Sequence, residues 1–197
     1  MNYQAASDYI LHRLRTQLSP SLSYHGVHHT LDVLQTAQAL AEAEGITDEA
    51  SLILLQTAAC FHDAGFLTTY EGHEEQGCLL VREVLPGFGY LPEQLEMICS
   101  LIMATQIPQS PQTHLERILC DADLDYLGRD DFAPIADSLF QELRTRGSVT
   151  DTPVWNRIQV KFLENHRYWT PTAIAWRQAG KEQQLAALRT LVEAETN

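Results

Sequence analysis

Apolar residues return every three or four positions along almost the whole chain, and no stretch alternates with period two. That pattern excludes a sheet-built fold and predicts an all-α bundle. In residues 3–18, Tyr3, Ala6, Ile10, Leu14 and Leu18 share one helical face, and Ser19-Pro20-Ser21 ends the segment. A second helix is predicted over 24–44, stopped by Gly45. A third starts at Thr47-Asp48-Glu49, where acidic groups meet the positive end of the helix dipole. It carries Leu52, Leu55, Ala59 and His62 along one stripe. Residues 65–72 read as a loop, and a fourth helix over 73–85 is closed by Pro86-Gly87. Pro92, Pro134, Pro153 and Pro171 each open a helical pattern, over 92–104, 132–146, 153–168 and 171–194. In the first turn a missing N–H costs little. Another helix covers 114–127, and the polar stretch 105–113 reads as an exposed loop.

At roughly 150 residues per domain, a length of 197 predicts one domain over 1–197, with about eight or nine helices. The charge balance narrows its partners. Lys and Arg number 13 against 26 Asp and Glu, a formal net charge of −13. A surface this acidic repels phosphate backbones and anionic lipid, so neither a nucleic-acid polymer nor a membrane is an expected partner. No run approaches the ~18 apolar residues of a membrane span, and the first residues resemble no signal peptide. Cys60, Cys78, Cys99 and Cys120 lie in apolar surroundings with no CxxC spacing, which predicts buried free thiols and a cytoplasmic location. Three tryptophans, Trp155, Trp169 and Trp176, read as core. Apolar helix faces leave self-association open.

Three segments pair histidine with carboxylate. In Tyr24-His25-Gly-Val-His28-His29-Thr-Leu-Asp32, a helix would put His25, His29 and Asp32 on one face, continued inward by Thr36 and Leu40. Inward imidazoles beside a carboxylate need partners, and a metal ion is the economical one. His62-Asp63 ends an apolar helix just before Gly65. A charged Asp after so apolar a run must be capped, paired or ligated. In Cys120-Asp121-Ala-Asp123-Leu-Asp125, helical geometry turns either Asp123 or the pair Asp121 and Asp125 toward the core, not all three. Two imidazoles and two carboxylates suit one borderline or hard divalent ion, among Mn, Ni, Fe, Co, Zn and Mg.

This order of motifs resembles the HD-domain superfamily of metal-dependent phosphohydrolases. The resemblance spans residues 24–128, with helices 132–194 beyond it. It implies His29, His62, Asp63 and Asp123 as metal ligands, with Asp123 preferred because it follows Ala122 and precedes Leu124. It implies hydrolysis of a small phosphoester, a nucleotide among the candidates, by a metal-activated water. Asp63 would orient or deprotonate that water, His25 would protonate the leaving oxygen, and Asp32 would support the first motif helix. His73, at a helix start, is a third catalytic candidate, placed to stabilise the phosphoryl oxygens. Arg82 and Arg129 are candidate phosphate-binding cations. Ala64-Gly65-Phe66 follows His62-Asp63 where the cyclic-dinucleotide branch has Gly-Lys, so that branch is not indicated. Two other readings share these helices. One is a non-catalytic nucleotide- or partner-binding module. The other is a di-iron oxygenase, which needs further histidines, for which the downstream candidates are His73, His114 and His166.

Overall fold

The computed structural model describes residues 1–196. Nine α-helices run through them: α1 Tyr3–Gln17, α2 Val27–Ala43, α3 Glu49–Phe61, α4 His73–Val84, α5 Pro92–Ala104, α6 His114–Asp123, α7 Phe132–Thr145, α8 Thr152–Asn165 and α9 Pro171–Thr196. No strand occurs among the described residues.

Helix starts follow the capping chemistry of the sequence. Asn2 and Asp48 accept backbone N–H groups of Ala5 and Ser51 at the heads of α1 and α3. Asp151 does the same for Val154 in α8, and Thr113 with Glu116 forms a reciprocal capping box on α6. Pro92 and Pro171 are the first residues of α5 and α9, as expected.

The apolar core gathers around α3, whose residues Leu54, Leu55, Ala58, Ala59, Cys60 and Phe61 are all buried. α1, α2, α5 and α6 pack around it. The stretch Glu49–Leu67 is apolar enough by composition to cross a membrane, but 67% of it is buried inside the bundle. A second apolar cluster joins α7, α8 and α9 to the segment after α6, through Leu127, Phe140, Trp155, Leu163 and Leu188. The two clusters meet at the ends of α3 and α6, where the polar site lies.

Several local expectations are corrected. α2 starts at Val27, not at 24, because Gly26 is its extended N-cap and His25 gives its N–H to a distant carboxylate. His25 therefore does not share a helical face with His29 and Asp32. The inward stripe of α2 is His29, Val33, Ala37 and Leu40, with Asp32 half-buried. Residues expected as a loop include a 3-10 turn at Ala64–Leu67, and the expected 114–127 helix ends at Asp123 and resumes as a 3-10 turn at Asp125–Gly128. That break frees all three aspartates to turn inward. Asp121 and Asp125 are at most 1% exposed, and the Asp123 side chain 14%. Of the tryptophans only Trp155 is core; Trp176 is 44% exposed. The four cysteines are free and buried.

Candidate metal centre

His62 ends α3, and its Nδ1–H donates to the Ala59 carbonyl at 2.8 Å. That bond fixes the tautomer and leaves the Nε2 lone pair facing inward. His29, one turn into α2, points its Nε2 at the same spot, 3.4 Å from His62 Nε2. Two imidazole nitrogens that converge so closely cannot satisfy each other while both are neutral acceptors. Asp123, the last residue of α6, brings Oδ1 to 3.1 Å from His29 Nε2 and 3.5 Å from His62 Nε2. Asp63 brings Oδ2 to 3.5 Å and 3.2 Å from the same two nitrogens. His29, His62 and Asp123 offer ligand atoms all within 4.8 Å of one another.

These distances fit a shared cation. Atoms ~2.1 Å from one ion stand roughly 3.0–3.5 Å apart in octahedral or tetrahedral arrangements. The sharper observation is Asp63 Oδ2, a buried carboxylate oxygen with no hydrogen-bond partner. Such an atom costs about 1–3 kcal/mol or more unless something positive meets it. Burial opposes the ionisation of Asp63 and Asp123, yet the imidazoles outweigh it. Asp63 is held well below the usual carboxylate range, and Asp123 is lowered to about 2. Burial likewise disfavours the His62 imidazolium, but the two aspartates push His62 well above its ordinary value. The pocket demands positive charge, supplied by protons or by a divalent ion.

His25 lies just before α2 and is held by Glu142 of α7. One Glu142 oxygen accepts the Tyr24 and His25 backbone N–H groups at 2.9 and 3.1 Å. The other pairs with His25 Nδ1 and accepts the Tyr70 hydroxyl at 3.0 Å. Burial opposes ionisation of this fully buried carboxyl, but His25 and the backbone donors together hold it below its ordinary value. His73 opens α4 after the left-handed Gly72, with Nδ1 on the Tyr70 carbonyl and Nε2 3.5 Å from Asp63 Oδ1. Phe66 stacks on both histidines, its ring 4.3 Å from His25 and 4.0 Å from His73, while the two imidazoles lie 6.3 Å apart. Gly65 beside it sits against the His73 backbone carbonyl so closely that no Cβ fits.

Other expected residues lie apart. Asp32 takes a two-pronged bond from Arg129, which also holds Asp131. Arg129 is thus neutralised by carboxylates, and neither residue lines the cavity described below. Arg82 forms a two-pronged, solvent-exposed pair with Glu96 in the last turn of α4, apart from the cluster. His114 pairs with Glu44, and His166 packs against Lys181, so neither joins the cluster. Asp121 accepts three bonds from Trp169 and Thr170, anchoring α9, while Asp125 holds Arg177. Sequence reasoning missed Glu142, Tyr70 and Phe66. A carboxylate beside Leu143 in an amphipathic helix was the only signal for Glu142.

The cluster opens into a cavity of about 490 Å³. His25, Asp63, Tyr70, His73, Glu74 and Asp123 form its polar end. Its other walls are mainly apolar side chains of α7, α8, the 124–132 segment and Ile107, with Tyr24, Thr105, Tyr126 and Gln159 the polar members.

No curated protein and no solved structure matches the chain. The family model described as HD domain matches residues 26–125, a span that begins at the N-cap of α2, contains His29, His62, Asp63 and Asp123, and covers half of the chain; the protein belongs to the HD-domain family.

Proposed function

We propose that the protein is a metal-dependent phosphohydrolase acting on a small phosphoester. The observation that carries the reading is the convergence of His29, His62 and Asp123, whose ligand atoms lie within 4.8 Å of one another, with the buried Asp63 Oδ2, which accepts no hydrogen bond, beside both imidazoles. These four residues would hold one divalent ion. Such an ion polarises a phosphoryl oxygen and makes water more acidic.

The chain's own residues divide the remaining work. Asp63 Oδ1, on the His73 side, orients the attacking water and takes its proton as the oxygen bonds to phosphorus. The bond from phosphorus to the ester oxygen breaks, and His25 gives that oxygen a proton from Nε2. Glu142 on Nδ1 holds the ring in the tautomer and orientation this requires. His73 directs Nε2–H toward the phosphoryl oxygens, where negative charge grows. Phe66 stacks on both imidazoles and limits the rotation of each.

The test is phosphate release from a panel of phosphoesters by protein loaded with Mn, Ni, Fe, Co, Zn or Mg. Turnover is expected in the parent, with loss in His25→Ala and His73→Ala at undiminished metal content. Binding of phosphoesters with no turnover under any metal would instead make the chain a helical binding module.

A further inference from the structure

We infer that the substrate is a phosphomonoester whose alcohol portion is an apolar chain or ring, not a nucleoside polyphosphate. This inference rests on the hydrolytic reading above and concerns the far arm of the same cavity. Leu139 and Leu143 of α7 line it together with Trp155, Ile158 and Phe162 of α8 and with Leu127. Leu139, Leu143 and Phe162 are only half-buried and Ile158 is 41% exposed, although all four line the same cavity. α7 packs mainly on the 125–128 turn and α8 on α9, which leaves this gap between them. Large apolar side chains that line an open gap recover their burial when an apolar ligand fills it.

Two properties of the arm select the ligand. Its only side-chain amide is Gln159, whose NH₂ lies 3.5 Å from Asn156. A nucleobase edge would leave several donors and acceptors unpaired there, at a cost an alkyl or aryl group does not incur. Secondly, no lysine or arginine lines the cavity among the described residues. Its polar end presents Asp63, Glu74 and Asp123, with Glu142 just behind His25. Arg146 is not among the lining residues, and its guanidinium is stacked on the Tyr70 ring at 3.6 Å. One phosphoryl group can be balanced by a divalent ion and His73, whereas a polyphosphate would meet these carboxylates with no cation among the lining side chains.

The experiment uses metal-loaded protein and a series of alkyl phosphates from ethyl to octyl, beside nucleoside 5′-monophosphates and triphosphates. A parallel series of alkylphosphonic acids is titrated by calorimetry and by Trp155 emission, with Trp155→Phe as the control. Each added methylene is expected to raise kcat/KM and phosphonate affinity about three- to fourfold until the arm is full. Hexyl phosphate should exceed every nucleotide at least tenfold. Ile158→Asn, at a part-exposed position, should flatten the chain-length dependence. A flat series, or a preference for nucleotides, overturns the inference and leaves the hydrolytic reading standing. Phosphonate affinity that climbs with chain length, without turnover, supports the apolar arm and removes the hydrolytic reading.

Discussion

Glu142→Gln is the most informative single change. The carboxylate accepts four hydrogen bonds, from two backbone N–H groups, His25 Nδ1 and Tyr70 Oη. Gln keeps the size and one carbonyl oxygen, which can still serve the backbone pair. Its NH₂ then faces His25 Nδ1–H, donor against donor, while the Tyr70 hydroxyl must turn to accept. The charge also disappears. A carboxylate about 4 Å from an imidazolium centre contributes ~4 kcal/mol at an effective dielectric near 20, an upper bound that local rearrangement reduces. Charge-assisted hydrogen bonds contribute about 1.5–3 kcal/mol net. A loss of ~2–3 kcal/mol in the step that needs the His25 proton corresponds to roughly 30- to 150-fold in kcat. Leaving-group dependence separates this from a structural defect. A 4-nitrophenyl ester, whose phenolate departs without protonation, should lose less than about threefold, while an alkyl ester suffers the full decrease. Metal content should stay at the parental level. Equal losses on both esters, or no loss on either, would refute the assignment of His25 as proton donor held by Glu142.

Three further expectations follow from residues outside the cluster. Asp121→Ala leaves the Trp169 and Thr170 N–H groups and the Thr170 hydroxyl without their acceptor, so urea denaturation should show a loss of about 4 kcal/mol; a loss under about 1 kcal/mol would contradict this anchoring role. Burial and the Lys181 ammonium push His166 down to about 3, so its contribution to stability is complete above the unfolded value near 6.5 and is lost as pH falls below it. That linkage amounts to ~2 kcal/mol between pH 7.5 and pH 5, and His166→Phe should abolish that part of the slope in denaturation measured across the range. Arg82→Ala removes an exposed pair with Glu96, so kcat/KM should stay within about twofold and stability within ~1 kcal/mol; a tenfold fall in kcat/KM would return Arg82 to the site.

The helices were legible because their signals are local. Pro92 and Pro171 fix the first turn, and Asn2, Asp48, Thr113 and Asp151 cap orphan N–H groups a few residues away. His29, His62, Asp63 and Asp123 could be singled out because charged or imidazole groups beside fully apolar helix ends need a partner. The misplacements have long-range causes. His25 was put on a helix because nothing near it reports that Glu142, 117 positions later, takes its N–H. The face-sharing rule for Asp121 and Asp125 presumed a helix that ends between them, at Asp123. Arg129 carries no local sign that Asp32, 97 positions earlier, neutralises it. The cavity arm is formed by α7 and α8, whose spacing depends on tertiary packing and not on either helix alone.

The central claim is that His29, His62, Asp63 and Asp123 hold a divalent ion. Elemental analysis of untagged protein purified without chelator tests it directly, in the parent and in Asp63→Ala and Asp123→Ala. About one divalent ion per chain is expected in the parent and under a tenth of that in either variant, with the helical fold retained by circular dichroism. Parent protein that takes up no metal after incubation with Mn, Ni or Zn, or variants that bind as much as the parent, would contradict the claim.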